Sequence, residues 1–307
     1  MSRSVIGLWL GPAAFLVLVL LPQPDGLSPA GLRLAAVTLW MAVWWISEAI
    51  PIPATALLPV VLFPLLGIMP AGSTTAAYGH HLVFLFIGGF MIAVTMERWE
   101  LHRRIALHVI RRAGTGPARL VLGFMLATAL LSMWISNTAT AMMMVTIGLA
   151  VLKQLFPGDQ YQSSPLGVAL MLGIAYAASI GGIATLIGTP PNAILAGMVD
   201  EMYGIDLGFG SWMLFALPLS LLMLLLSWLY LTRVAFPLST MTLPASTQLV
   251  EQQLAALGDM SRAEKRVAWV FAVVALLWMS RGLLDWAPLK LVRDSSIAMG
   301  GALALFV

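Results

Sequence analysis

The stretch SMWISNTATAMMM, Ser132 to Met144, places Ser132, Ser136, Asn137, Thr138 and Thr140 inside one of the most apolar regions of the chain. Hydroxyl and carboxamide groups supply neutral oxygens and N–H donors. Two kinds of chemistry are open to such a set: holding a hard cation, which takes several oxygen ligands, and hydrogen bonding to an anion. Ser132 lies one helical turn before Ser136, so both hydroxyls can face one point. A backbone unwound at Ser136, Asn137 and Thr138 would add its carbonyls to the Ser132, Ser136 and Thr138 hydroxyls and the Asn137 carbonyl as sodium ligands. The N–H groups freed at a helix N-terminus, together with the Asn137 amide, would face an anionic substrate. The competing expectation is structural: such side chains also hydrogen-bond between packed membrane helices, for roughly 0.6–2 kcal/mol each.

A second polar interruption follows at GGIATLIGTPPNAI, Gly181 to Ile194. Pro190 and Pro191 cannot continue a helix and Gly188 permits unusual backbone angles, so the 34 uncharged residues from Leu166 to Val199 read as a broken span rather than a mere kink. The 33 uncharged residues from Leu120 to Leu152 would make a straight helix of about 50 Å, too long for one crossing of roughly 30 Å and too short for two. They are expected to form a re-entrant hairpin of two half-helices with Ser136, Asn137 and Thr138 at the tip. Non-helical backbone at that depth must be buried in protein or line a wet cavity, so the polar tip implies a cavity. Two adjacent broken segments are the pattern of secondary transporters, whose sites form where broken helices point their ends at an ion or substrate.

The elements that must position these motifs are membrane helices. Of 307 residues 60% are hydrophobic and only 9% charged, and uncharged runs near twenty residues recur, each long enough to cross the hydrocarbon. Spans are expected near 5–22, 30–49, 54–69, 82–96, 210–232 and 267–284, and their continuity argues for helices rather than a barrel. The fold class is an all-α integral membrane protein. Arg3 precedes a long apolar run, but no small-x-small cleavage site follows LLPQPDG, so the first helix is expected to be retained.

A net charge of +3 raises a nucleic-acid partner, and the placement of the sixteen Lys and Arg residues argues against it. With the N-terminus inside, Arg3, the six arginines from Arg98 to Arg119, Lys153, Arg233, Arg262, Lys265 and Arg266 are cytoplasmic, against Arg33, Arg281, Lys290 and Arg293 outside. The stretch ERWELHRRIALHVIRR sets Trp99, Leu101, Ile105, Leu107 and Ile110 among charges, as in a helix lying along the interface. The absence of cysteine removes thiol catalysis and thiolate metal sites. Glu48 is expected to reach the interface, and His80 and His81 to be solvated loop residues rather than metal ligands. No predicted span pairs His with Asp or Glu, so an intramembrane enzyme is not expected. A channel subunit remains a rival, since a polar tip can line a pore.

At these motifs the sequence resembles the divalent anion/sodium symporter family, carriers of succinate, citrate, malate and, in some branches, sulfate. WWISEAIPIPATALLP at 44–59 and LFIGGFMIA at 85–93 add to the likeness. The resemblance implies sodium at Ser132, Ser136, Asn137 and Gly188, with Thr189 beside it, and a substrate carboxylate at Asn137 and Thr138, with Asn192 nearby. It further implies a homodimer in a bacterial-type inner membrane. Its elevator motion would set a scaffold of 1–112, including the interfacial helix, against a transport part of 113–232.

The resemblance also implies a second inverted repeat with its own Ser-Asn-Thr hairpin, and nothing after Ile194 repeats either motif. Residues 233–266 read as a cytoplasmic connector and 267–307 as the incomplete start of that repeat. The chain is therefore expected to be the N-terminal portion of a longer carrier, unable to complete a transport cycle alone. The alternatives are a sodium-independent anion exchanger, a sulfate or arsenite carrier of the same superfamily, or an inactive truncated membrane subunit.

Overall fold

The computed structural model describes residues 2–114, 116–156, 158, 160–238, 246–281 and 292–307, with no strand among them. The chain forms two compact units, Met1–His80 and His81–Val307. Six stretches among the described residues have the length and apolarity to cross a membrane: Arg3–Leu20, Pro29–Ser47, Ala71–Arg98, Asn137–Leu155, Pro165–Ile183 and Phe209–Ala235.

In the first unit α1 (Arg3–Leu20) packs along α2 (Pro29–Ser47). Ser28 caps α2, its hydroxyl accepting from Gly31 N at 3.1 Å, and Pro29 starts the helix with no N–H to orphan. The buried residues of α1 are Gly7 and Gly11, and a methyl group at Gly11 would lie 2.6 Å from Trp40 and 2.8 Å from Trp44. Helices in lipid gain little by hiding apolar surface from each other. Close approach and the Phe15–Trp40 ring contact across the two helices at 5.5 Å supply the packing instead. The span expected at 54–69 is divided into α3 (Ile52–Thr55) and α4 (Leu58–Leu65), followed by α5 (Ala71–Tyr78). Pro59 is the reason: it sits in the first turn of α4, where a missing N–H is harmless, and it cannot donate the bond back to Thr55 O that would join α4 to α3.

The second unit comprises α6 (His81–Arg98), α7 (Leu101–Ala113), α8 (Pro117–Ser132), α9 (Asn137–Leu155), α10 (Pro165–Ile183), α11 (Pro190–Tyr203) and α12 (Phe209–Leu229). After these come α13 (Ser246–Leu257), α14 (Arg262–Arg281) and α15 (Asp294–Ala304). Expected spans 5–22, 30–49, 82–96 and 210–232 correspond to α1, α2, α6 and α12. The span at 267–284 corresponds to α14, which starts earlier at Arg262; residues 282–284, like 239–245 of the connector and Lys290, lie outside the described residues.

Helix α10 is central, packing on α8, α9 and α12 with Leu170, Ile174 and Ala177 wholly buried. The amphipathic α7 turns Leu101, Ala106, Leu107 and Ile110 inward and packs on α8 and α13, so its apolar stripe is covered by protein, while Trp99 stays exposed. Arg104 fastens it: Nε and Nη2 lie 2.6 and 3.2 Å from the Glu264 carboxylate, and Nη1 donates to Gly258 O at 2.9 Å. The uncharged run 120–152 is divided between α8 and α9, of 16 and 19 residues, about 24 and 28 Å long. These arms exceed half-helices because helix continues outward through Arg119 to Pro117 and through Lys153 to Leu155. At the far end, Trp228 of α12 donates from Nε1 to Ala118 O of α8 at 2.8 Å.

Candidate functional site

Two breaks lie against each other beside α10: Met133–Ser136 between α8 and α9, and Ala184–Thr189 between α10 and α11. Ser132 ends α8 fully buried, with Oγ 2.5 Å from Asn137 Oδ1 and 2.6 Å from Ala178 O of α10. A hydroxyl carries one hydrogen and can donate to only one of these acceptors. Three neutral oxygens therefore crowd around a single proton, a donor set that suits a hard cation and offers nothing to a soft one.

The crossing that permits this is made of glycine. A methyl group at Gly181 would lie 2.5 Å from Ala129 Cα, so α8 and α10 touch backbone to backbone there. At Gly182 it would lie 2.6 Å from Asn137 Oδ1 and 2.7 Å from Nδ2; at Gly188 it would lie 2.5 Å from Gly182 O. Thr185, also fully buried, links the breaks by donating to Met133 O at 2.5 Å and accepting from Gly188 N at 3.1 Å.

A helix end leaves four carbonyls without intrahelical partners, and those of α10 are all met. Ser220 Oγ donates to Ile180 O at 2.8 Å, Ala184 N to Gly181 O at 3.0 Å, Asn192 Nδ2 to Gly182 O at 2.9 Å, and Trp212 Nε1 to Ile183 O at 2.9 Å. Asn192 Nδ2 also reaches Thr185 O at 2.7 Å, so its donors are turned toward carbonyls. At the head of α11 the prolines 190 and 191 have no N–H, and Asn192 N is bonded to Thr189 O. The head of α9 differs: Ser136 and Thr138 are exposed, and only from Thr140 N back to Ser136 O does the helical ladder begin. No charged residue falls within 132–144 or 181–194. The fields at the breaks come from helix ends, α8 and α10 finishing where α9 and α11 start.

Of the residues singled out from sequence, Ser132 and Asn137 touch, and Gly188 packs on the backbone of Gly182, which in turn faces the Asn137 amide. Asn192 lies buried inside the second break. Ser136 and Thr138 line the exposed edge, and half-buried Thr189 precedes α11 without capping it. Thr185 and Gly182 were not singled out, although a lone hydroxyl three residues before Gly188 in an apolar run was a readable signal. Ser220 and Trp212 had none, because the carbonyls they serve are assembled only in the fold. Glu48 is exposed, with left-handed φ of 51° at the end of α2. His81 differs from a loop residue: it opens α6 half-buried, 3.2 Å from Arg293. No group of three His, Cys, Asp or Glu among the described residues could hold a metal ion.

Residues 2–307 match the sodium:sulfate symporter transmembrane region. The sodium-dependent dicarboxylate transporter SdcS of Staphylococcus saprophyticus is 43% identical over 99% of this chain, and that of Staphylococcus aureus strain USA300 is 42% identical over 100%. In each case the match covers 60% of the relative's own length. These relatives are named as transporters, not enzymes. With that match running over residues 2–307 and so through both breaks, the chain belongs to the sodium:sulfate symporter family.

Proposed function

We propose that the chain serves sodium-coupled symport of a divalent anion of the succinate, malate or citrate kind, with the ion and one end of the anion held at the two breaks. The observation that carries this reading is the cluster of Ser132 Oγ, Asn137 Oδ1 and Ala178 O around one hydrogen. Sodium is cargo here, taken by those oxygens with Ser136 and the backbone at Gly188 and Thr189 beside them. The substrate carboxylate belongs at the head of α9, where Thr138, the Asn137 amide and the free N–H groups of the first turn face outward. The head of α11 is poorer in donors because of its prolines, and Asn192 is committed to bracing α10. The relatives' names support a dicarboxylate; the family description brings in sulfate, which competition assays separate.

The likeness to the family further supports a homodimer in a bacterial inner membrane, N-terminus inside. It also supports a re-entrant α8–α9 hairpin carried with α10–α12 against residues 1–112 in an elevator motion. The test is succinate uptake by the full-length protein in proteoliposomes. Uptake should saturate, fall when choline replaces sodium, and vanish in Asn137→Ala while insertion persists. Unchanged uptake in that variant removes the hairpin from the site. Uptake indifferent to sodium makes the protein an exchanger.

A further inference from the structure

We propose that Asp294 is a positioning residue for the ion site: from the head of α15 it holds the first turn of α12, and that turn braces both breaks. The inference rests on the site assignment above. Gly208 precedes α12 and has no side chain to cap it. The cap comes from 85 residues away, where Asp294 Oδ2 accepts from Phe209 N at 2.8 Å. The carboxylate is buried and paired with Arg281 Nη1 at 3.1 Å; Arg281 Nη2 in turn holds Asp206 at 3.0 Å. Trp278 Nε1 donates to Asp294 O at 2.9 Å, fixing α14 to the same point.

What the turn then supports is the site. Phe209 stacks on Trp278, at 4.8 Å and 11°, and on Trp134, at 5.7 Å and 18°, and the two indoles meet each other at 6.3 Å and 9°. Trp134 also meets Phe271 edge-on at 5.0 Å. Trp134 is in the first break, three residues before Asn137. Trp212, one turn along α12, bonds Ile183 O at the second. A local Ser at 208 would cap α12 without burying a charge. A carboxylate supplied from α15 does what a local cap cannot: it fixes the turn under both breaks relative to α14 and α15.

The experiment is sodium titration of the full-length protein, read twice. Uptake gives the sodium concentration at half-maximal rate. Residues 1–307 contain no cysteine, so Thr138→Cys, with any cysteine outside them replaced by serine, provides a single thiol whose labelling, slowed by sodium, reports the site without transport. Asp294→Ala should raise both half-saturation values by about tenfold, as expected for one lost charge-assisted hydrogen bond, with the maximal rate at saturating sodium kept within about twofold. Asp294→Asn, which still offers an oxygen to Phe209 N, should shift them less. Phe209→Leu removes the stack but keeps the cap and should shift them in the same direction, which decides the matter if Asp294→Ala does not fold. A lowered melting temperature with sodium half-saturation unchanged in these variants makes Asp294 a structural cap and overturns the inference. If Asn137→Ala abolishes uptake and Asp294→Ala leaves sodium dependence alone, only this inference falls. If Asn137→Ala transports normally, the site reading falls first.

Discussion

Gly182→Ala adds one methyl group against the Asn137 amide. Its carbon would sit 2.6 Å from Oδ1, 2.7 Å from Nδ2 and 3.0 Å from Cγ, so reaching an ordinary contact of about 3.4 Å requires the amide to retreat by roughly 0.8 Å. That retreat opens the 2.5 Å contact with Ser132 Oγ. Overpacking of this kind costs about 1–3 kcal/mol. The strain is relieved while Asn137 stands back and returns when an ion draws Oδ1 toward the Ser132 oxygen. The sodium concentration for half-maximal succinate uptake should therefore rise by about 5- to 150-fold. The melting temperature without sodium should change little, and its rise on adding sodium should shrink. Gly300→Ala is the control, because nothing lies within 4 Å of a methyl group there; inside α15 it should stabilise by about 0.5–1 kcal/mol and leave sodium dependence alone. A folded Gly182→Ala protein with wild-type sodium half-saturation would refute the placement of Asn137 Oδ1 in the ion site.

Arg104→Ala leaves the buried Glu264 carboxylate unpaired and should cost about 3 kcal/mol of stability, seen as a lower melting temperature that Glu264→Gln in the same chain partly restores; no change would mean the connector is not fastened through this pair. Burial pushes His102 on α7 below the usual imidazole range, with Arg103 adding and the Met96 carbonyl, Glu97 and Glu100 opposing. The unfolded chain thus takes up its proton near 6.5 while the folded one stays neutral to lower pH. The stability from the neutral ring is full above that value and is lost as pH falls below it. Melting temperature should drop more between about pH 7.5 and pH 5.5 in the wild type than in His102→Gln, and equal drops would count against it.

The breaks at Ser136 and at Pro190–Pro191 are legible in sequence because each is a local fact: a run too long for one helix, and two residues that cannot extend one. The four spans that became α1, α2, α6 and α12 are legible because apolar length alone marks them, whereas α14, which overlaps the span expected at 267–284, is not among the stretches with that length and apolarity. The span at 54–69 failed for the converse reason. Its composition is apolar enough, but Pro59 divides it, and a window of hydrophobicity does not weigh a missing N–H. The bracing of the site was not legible. Ser220, Trp212 and Asp294 act on carbonyls or amides far away in the chain, and nothing in their own neighbourhoods announces a partner. The stripe of α7 was legible as a stripe; that α8 and α13 cover it depends on tertiary packing.

The meeting of Gly188 with the Gly182 carbonyl bears on how this site can drift through mutation. Most crowded contacts can be repaired by a second substitution that trims the neighbour. Here the neighbour is itself a glycine, with no side chain left to trim. A larger residue at 188 can be rescued only by moving α11 or the second break bodily, and that disturbs Asn192 and Thr185 as well. Invariance at 188 among relatives would follow from crowding even if its backbone never touched an ion. Suppressors of a Gly188 variant should accordingly map to α11 and α12, and not to position 182.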